Sequence, residues 1–193
     1  MLKRANRLLW GVGFVLMIFL GGCGSQTTLP QVNNAPNVAP SSVSPAQNQP
    51  PVSRPMATMN MYYPDKDAKY LVAEIHSIDE RKAQENPPKT AVEILLAGTK
   101  NPNLVNVIPA GTKLKSLVVK DGTAYADFNR NLLKVSGGSS TERFLVGSIV
   151  NTLTEFPSIK QVQILVEGKK IETITGHMDL RKPLGRSEQI IKK

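Results

Sequence analysis

The chain has 193 residues, 24 of them basic and 15 acidic, for a formal charge of +9, with 40% apolar and 20% charged residues. That length suits one folded domain plus appendages. A single cysteine excludes a disulfide framework and a Cys-rich zinc site, and two histidines leave little for a His-based metal centre.

Lys3, Arg4 and Arg7 precede residues 8–20, an uncharged apolar run of 13 residues. This falls within the window of about 7–15 for a signal-peptide core and short of the roughly 20 that span a bilayer as a helix. Small residues follow at once, and Leu20-Gly21-Gly22-Cys23 resembles the lipobox of bacterial lipoproteins. In that motif the cysteine takes a diacylglyceryl thioether and the chain is cut before it. Residues 1–22 are thus expected to be a lipoprotein signal peptide and Cys23 the lipidation site. The protein would then sit on the outer, extracytoplasmic face of the cell membrane, held there by its lipid anchor. The competing readings are a secretory signal with a chance cysteine and an uncleaved anchor. Two or more acyl chains anchor stably where one only visits, at about 0.8 kcal/mol per buried CH₂. Cleavage takes the charge from +9 to +6, which favours weak attraction to anionic lipid or wall polymer. No RNP-like aromatic motif, zinc finger or helix-turn-helix signal supports a nucleic-acid partner.

Residues 23–57 hold the lipidated cysteine and a Pro/Asn/Gln/Ser-rich tether. Seven of the 14 prolines fall here, Arg54 is the sole charge, and no residue is aromatic. Such a segment cannot bury enough surface to offset its ordering entropy, so it is predicted to be a disordered spacer.

Residues 58–186 read as one folded domain, and 187–193 as a basic tail. TMNMYY and YLVAEIHSI form two strands about the polar turn PDKDAK. Leu71, Ala73 and Ile75 share an apolar face, and His76 faces solvent beside Glu74. Asn86-Pro87-Pro88 interrupts the chain. Thr90-Ala91-Val92-Glu93 then reads as a capping box opening a short helix through Leu95 and Leu96, with Gly98 as its stop. Residues 101–111, with Pro102, Pro109 and Gly111, form a loop. Asp121-Gly122 marks a type I′ hairpin turn, with Val119, Ala124, Ala126 and Phe128 supplying apolar faces. Ser139-Ser140-Thr141-Glu142 is a second capping box, opening a helix through Leu145, Ile149, Val150, Leu153 and Phe156 that ends at Pro157. A last hairpin over 161–174 turns near Glu167-Gly168. The order ββαββαββ predicts an α+β single domain, with two helices packed on one face of a mixed or antiparallel sheet.

Tests for chemistry return little. Asp65-Lys66-Asp67 opens like a calcium loop, but Lys69, Tyr70 and His76 stand where an oxygen ligand, Gly and Glu are needed. Gly137-Gly138-Ser139-Ser140 lacks the P-loop ending and reads as a loop and helix cap. His177 and Asp179 lie close in sequence, yet no nucleophile motif accompanies them, and a structural role is favoured for both. No catalytic, metal-binding or cofactor-binding residue is therefore named.

Tyr62-Tyr63-Pro64-Asp65-Lys66-Asp67-Ala68-Lys69-Tyr70-Leu71-Val72 is followed in order by residues 91–98, Ile108-Pro109-Ala110-Gly111-Thr112, Asp121-Gly122 and residues 145–157. Residues 162–168, Gly176-His177-Met178-Asp179-Leu180 and Pro183-Leu184 complete the series. Together they resemble the GerMN domain family of sporulation and spore-germination lipoproteins, across about residues 58–186. The resemblance implies a fold like the ring-building motifs of secretion systems, no enzymatic activity and no cofactor. It also implies a protein-interaction or scaffold role among envelope proteins, in a ring or channel complex. Contacts are expected on polar helix faces and the exposed sheet face, with the interface residues unassigned. The alternative reading, drawn from the +6 charge, is a lipoprotein that binds a wall polymer or small ligand.

Overall fold

Apolar alternation and a carboxylate-closed turn build the first hairpin. The structure, a computed structural model, describes residues 55–193; the signal segment 1–22, Cys23 and the tether through residue 54 lie outside the described residues. Strand β1 (Met56–Pro64) pairs antiparallel with β2 (Leu71–Asp79), Tyr62 opposite Ala73 and Pro64 opposite Leu71. In the turn between them, Asp65 Oδ1 accepts the backbone N–H groups of Lys69 and Tyr70 at 2.8 and 3.3 Å, and Ala68 takes φ of +53°.

The face expected from Leu71, Ala73 and Ile75 is not the buried one. Ala73, Ile75 and Ser77 are exposed, Ile75 to 69%, and Val72, Glu74, His76 and Ile78 form the half-buried row. The register explains the reversal. Tyr63 and Met61 stand opposite Val72 and Glu74 and are sunk in the main core, so the even-numbered row of β2 turns inward with them. Leu71 is buried from the other side, in a small cluster with Tyr62, Phe144 and Ile190.

Helix α1 (Glu80–Glu85), absent from the sequence expectation, is capped by Asp79, whose Oδ1 accepts the Arg81 N–H at 3.0 Å. Helix α2 (Pro87–Ala97) starts three residues before the expected capping box. Its cap is Asn86, with Oδ1 accepting the Lys89 N–H at 3.1 Å. Pro87 suits the first helical position because its φ is preset and its missing N–H has no partner to lose there. Thr90 instead donates its hydroxyl to the Lys82 carbonyl, tying α1 to α2. Gly98 ends α2 as expected, at φ of +82°.

Strands β3 (Leu114–Lys120) and β4 (Thr123–Phe128) turn at Asp121 and Gly122, with φ of +50° and +74° as a type I′ turn requires. Ala124, Ala126 and Phe128 are fully buried, whereas Val119 stays 42% exposed because β3 is the sheet margin. A 3₁₀ turn (Arg130–Lys134) leads to helix α3 (Ser139–Leu153), which carries the chain across to β5 (Gln161–Val166). That crossover lets β5 pair parallel with β4, Ala126 opposite Ile164. After the Glu167-Gly168 turn, β6 (Lys169–Lys170) pairs for only two residues rather than continuing to 174. Strand β7 (Leu184–Gly185) takes the other end of the same margin of β5.

The fold is α+β in the expected order, with α1 as an extra short helix and β1–β2 as a ladder separate from the five-stranded sheet. The main core gathers Met61, Val92, Leu95, Phe128, Ile149 and Ile164, from both ladders and both long helices. The C-terminal segment packs onto the smaller cluster of Tyr62, Leu71 and Phe144. Ile190 is 8% exposed, Ile191 bridges Leu71, and the Lys192 N–H donates to the Leu71 carbonyl at 2.8 Å.

Candidate functional site

The polar residues singled out in the sequence are spread over the domain rather than gathered in one cleft. His76 lies on the half-buried row of β2, not on a solvent face, with Nε2 2.7 Å from Glu74 Oε2. Thr99 donates its hydroxyl to the other Glu74 oxygen at 2.8 Å. The hydroxyl therefore meets the carboxylate and not the imidazole, which is not the order in which a base activates a nucleophile. Tyr63 stacks obliquely near His76, 6.2 Å between ring centroids, and burial together with the Glu74 charge pushes its hydroxyl pKa up.

Asp179 accepts the Arg181 backbone N–H and pairs with the Arg181 guanidinium through both oxygens, at 2.9 to 3.0 Å. Those bonds hold its carboxyl down at about 2. His177 contributes its backbone N–H, which donates to Glu142 Oε2 at 2.8 Å. Both residues take part in holding the loop after β6. Gly138 is the N-cap of α3 and supplies no side chain to it.

Glu142 departs most from its expected role. Rather than closing a capping box, its fully buried carboxylate turns away from the start of α3 to the loop of residues 173–177. It accepts the hydroxyls of Thr173 and Thr175 and the backbone N–H groups of Ile174, Thr175 and His177, at 2.7 to 3.2 Å. Burial alone would raise its pKa; the donors from Thr173, Ile174 and Thr175 outweigh that and hold it at about 2. The sequence carried a signal for this role. Glu142 is in phase with Leu145, Ile149 and Leu153 on the apolar stripe of α3, where a carboxylate needs dedicated partners.

A second cluster fastens the segment after β7. Arg186 lies 5.0 Å from the Tyr62 ring centroid, donates to the Tyr62 hydroxyl at 2.6 Å, and pairs with Glu155 and Glu188 at 2.8 and 2.6 Å. Tyr62 in turn donates to Glu155 at 2.7 Å, and its backbone N–H reaches Thr152 Oγ1 at 3.1 Å. Nothing in local sequence order joins positions 62, 155 and 186; β1 and the segment after β7 meet at the C-terminal end of α3, where Tyr62 N–H bonds Thr152 and Arg186 bonds the Asn151 carbonyl.

Two open clefts border these clusters. One, of about 490 Å³, lies between the 105–110 loop and the start of α3, with Lys66 and Lys134 among its lining. The other, of about 520 Å³, lies beside Tyr70 and the C-terminal residues 188–193. No histidine or cysteine lines either one. Among the described residues, no group of three or more His, Cys, Asp or Glu is placed to hold a metal ion. The clusters hold loops in place, and what they leave outward is surface: exposed Ile75 and Met56 on the first hairpin, and Val118 and Val119 on β3.

The family model described as Germane, sporulation and spore germination, matches residues 60–172. Spore germination protein GerM of Bacillus subtilis (strain 168) is 29% identical over 136 residues, which are 67% of this chain and 36% of that protein. The chain thus spans little more than a third of that curated relative. Among solved structures, the first GerMN domain of the sporulation protein GerM from Bacillus subtilis matches with a TM-score of 0.57 at 28% identity. The match covers 67% of this chain and 98% of that one. The tandem GerMN domains of the same protein match with a TM-score of 0.59 at 26% identity, over 68% of this chain and 46% of that one.

Proposed function

The chain belongs to the Germane family, sporulation and spore germination, and from that membership we propose that it is an exported lipoprotein whose single GerMN domain docks onto other envelope proteins. The reading places it in sporulation or spore germination, as a non-enzymatic interaction or scaffold module. Lipid on Cys23 anchors it, and the Pro-rich segment up to residue 57 carries the domain away from the membrane. The observation that carries the proposal is the family match across residues 60–172, the greater part of the folded domain. The clusters at Glu142 and Arg186 support it, because their polar groups are spent on bracing loops rather than on presenting an acid and a base to a substrate.

The test is recovery of the full chain with its neighbours from cross-linked envelopes. A reproducible protein partner, lost on competition with the purified unlabelled chain, is expected. Repeated recovery of the chain alone overturns the docking reading. The charge of +6 after cleavage favours a second reading, attachment to an anionic wall polymer. Salt-sensitive co-sedimentation with purified wall, in the absence of any protein partner, would establish that reading instead.

A further inference from the structure

We propose that the outer margin of β3 is a docking edge that accepts an extended, acid-flanked segment of another protein as an additional strand. This deepens the docking reading and rests on it. Strands β6 and β7 also end the sheet but are two residues each, too short to template a further strand, and the longer strands have cover on their margins. The two ends of the outer margin of β5 are taken by β6 and β7. The margin of β1 meets α3 where the Tyr62 N–H donates to Thr152, and the margin of β2 meets the C-terminal segment where Lys192 donates to Leu71. Strand β3 ends the sheet, and among the described residues no backbone or side-chain group bonds its outer side between Leu114 and Lys120.

The hairpin geometry shows which groups are free. A two-residue turn makes Lys120 and Thr123 the hydrogen-bonded closing pair, and bonded pairs alternate along an antiparallel ladder. The N–H and C=O groups of Leu117 and Val119 therefore point away from β4. A register shift between Leu114 and Ser116 ends the regular stretch, so the straight part of the margin is Ser116–Lys120. Val118 and Val119 there are 58% and 42% exposed, on opposite faces of the sheet. An unpaired margin of this kind is a template for strand addition.

Charge selects the occupant. Lys113 and Lys120 stand at the two ends of the strand with no ion-pair partner among the described residues, while Lys115 is paired with Glu167. The two free lysines are seven positions apart along the strand, about 23 Å at roughly 3.3 Å per residue. A segment of that length with carboxylates at both ends and β-branched residues between them matches the margin. A second copy fits poorly, because β3 carries Lys115 and Lys120 and no acid, and like charges on adjacent strands repel. Residues 1–54 contain no Asp or Glu, so the chain's own leading segment cannot supply the carboxylates.

The test uses the full chain and the peptide Glu-Thr-Val-Thr-Val-Thr-Thr-Glu, whose end carboxylates are seven positions apart like the two lysines, with hydrogen exchange read residue by residue. With peptide at about twice its Kd, exchange of the Leu117 and Val119 amides should slow about threefold. A Lys-ended peptide and a backbone N-methylated peptide should have no effect. Lys113→Glu with Lys120→Glu should abolish the slowing by the acidic peptide and transfer it to the Lys-ended one, with an unchanged melting curve showing that the variant is folded. Unchanged β3 exchange at millimolar acidic peptide overturns the proposal. So does slowing that follows protein concentration without peptide, the mark of a second copy, or β3 amides already protected at every dilution, the mark of the chain's own leading segment. If the double variant still captures the same envelope partner as the wild type, the docking edge falls and the docking reading stands. If neither captures a partner, the docking reading itself falls.

Discussion

Glu142, in the first turn of α3, accepts the backbone N–H of His177, 35 residues further along the chain, at 2.8 Å. The same carboxylate holds Thr173, Ile174 and Thr175, so one buried anion fixes the path of the chain between β6 and β7. Glu142→Gln keeps the volume but turns an NH₂ group toward donors that need an acceptor. Leaving buried donors unsatisfied costs about 1–3 kcal/mol per group. Chemical denaturation should show a loss of about 3 kcal/mol, with Glu142→Ala at least as damaging. A change below about 0.5 kcal/mol would mean that the loop is held by other contacts.

The same residue sets an acid limit on stability. Its carboxyl is held at about 2 in the folded chain against 4.5 for an ordinary glutamate. A depressed carboxyl pKa contributes its full stability above the unfolded value, and that contribution is lost as pH falls toward the folded one. Between pH 4.5 and about 2 the wild type should therefore lose stability, at up to about 1.4 kcal/mol per pH unit from this group. Glu142→Gln should lose less across the same window, so the two denaturation curves converge on acidification. Parallel pH profiles would show that Glu142 titrates alike folded and unfolded. Asp179 is also held down at about 2, but as an exposed ion pair with Arg181 it should add little.

The helix caps give a third measurement. Asn86 holds the Lys89 N–H at the start of α2, whereas Thr90 bonds the Lys82 carbonyl across to α1. Asn86→Ala should lower stability by about 1 kcal/mol and Asn86→Asp should restore it. Thr90→Ala should cost less, since it leaves every N–H of the first turn as it was. The reverse ranking would place the cap at Thr90.

The hairpin turns were legible because Asp121-Gly122 and Glu167-Gly168 need backbone angles that few residues adopt, and each turn was found where it was expected. The α+β order was legible from hydrophobic periodicity. The local rule failed at the caps because two competent signals compete within four residues, and Asn86 with Pro87 prevails by presetting the helix entry. The exposed face of β2 is not legible in the same way, because a strand of nine residues with Leu71, Ala73 and Ile75 in phase says nothing of what its partner strand buries. The place of Glu142 on the apolar stripe of α3 is legible, but its partners, like Tyr62 for Arg186, lie more than thirty positions away, beyond the reach of any local pattern.

The C-terminal segment is seated by an absence of side chain. A Cβ on Gly147 of α3 would lie 2.6 Å from Ile190 Cδ1 and 3.1 Å from Leu71 Cδ1. Gly147→Ala gains up to about 1 kcal/mol of helix propensity and meets an overpacking penalty of about 1–3 kcal/mol. A net loss is expected, with faster hydrogen exchange at Lys192, whose N–H bonds Leu71. Ile190→Val removes the obstructing methyl, so the double variant should recover most of that loss. Additive losses in the double-mutant cycle would show that Ile190 is not what Gly147 accommodates.

The anchor is open to a direct chemical test, since the chain offers one thiol. If Cys23 carries the lipid, labelled palmitate enters the wild-type chain and not Cys23→Ser, because no other cysteine can form the thioether. A substituted chain would also keep its first 22 residues, with Lys3, Arg4 and Arg7, and run as a longer, more basic species. Loss of two or more acyl chains removes far more burial than the marginal binding that one chain provides. The unlipidated form, if cleaved by another route, should therefore wash from membranes where the wild type stays. Equal labelling of the two chains would place any lipid elsewhere. Equal membrane retention without label would show that residues 8–20 hold the protein as an uncleaved segment.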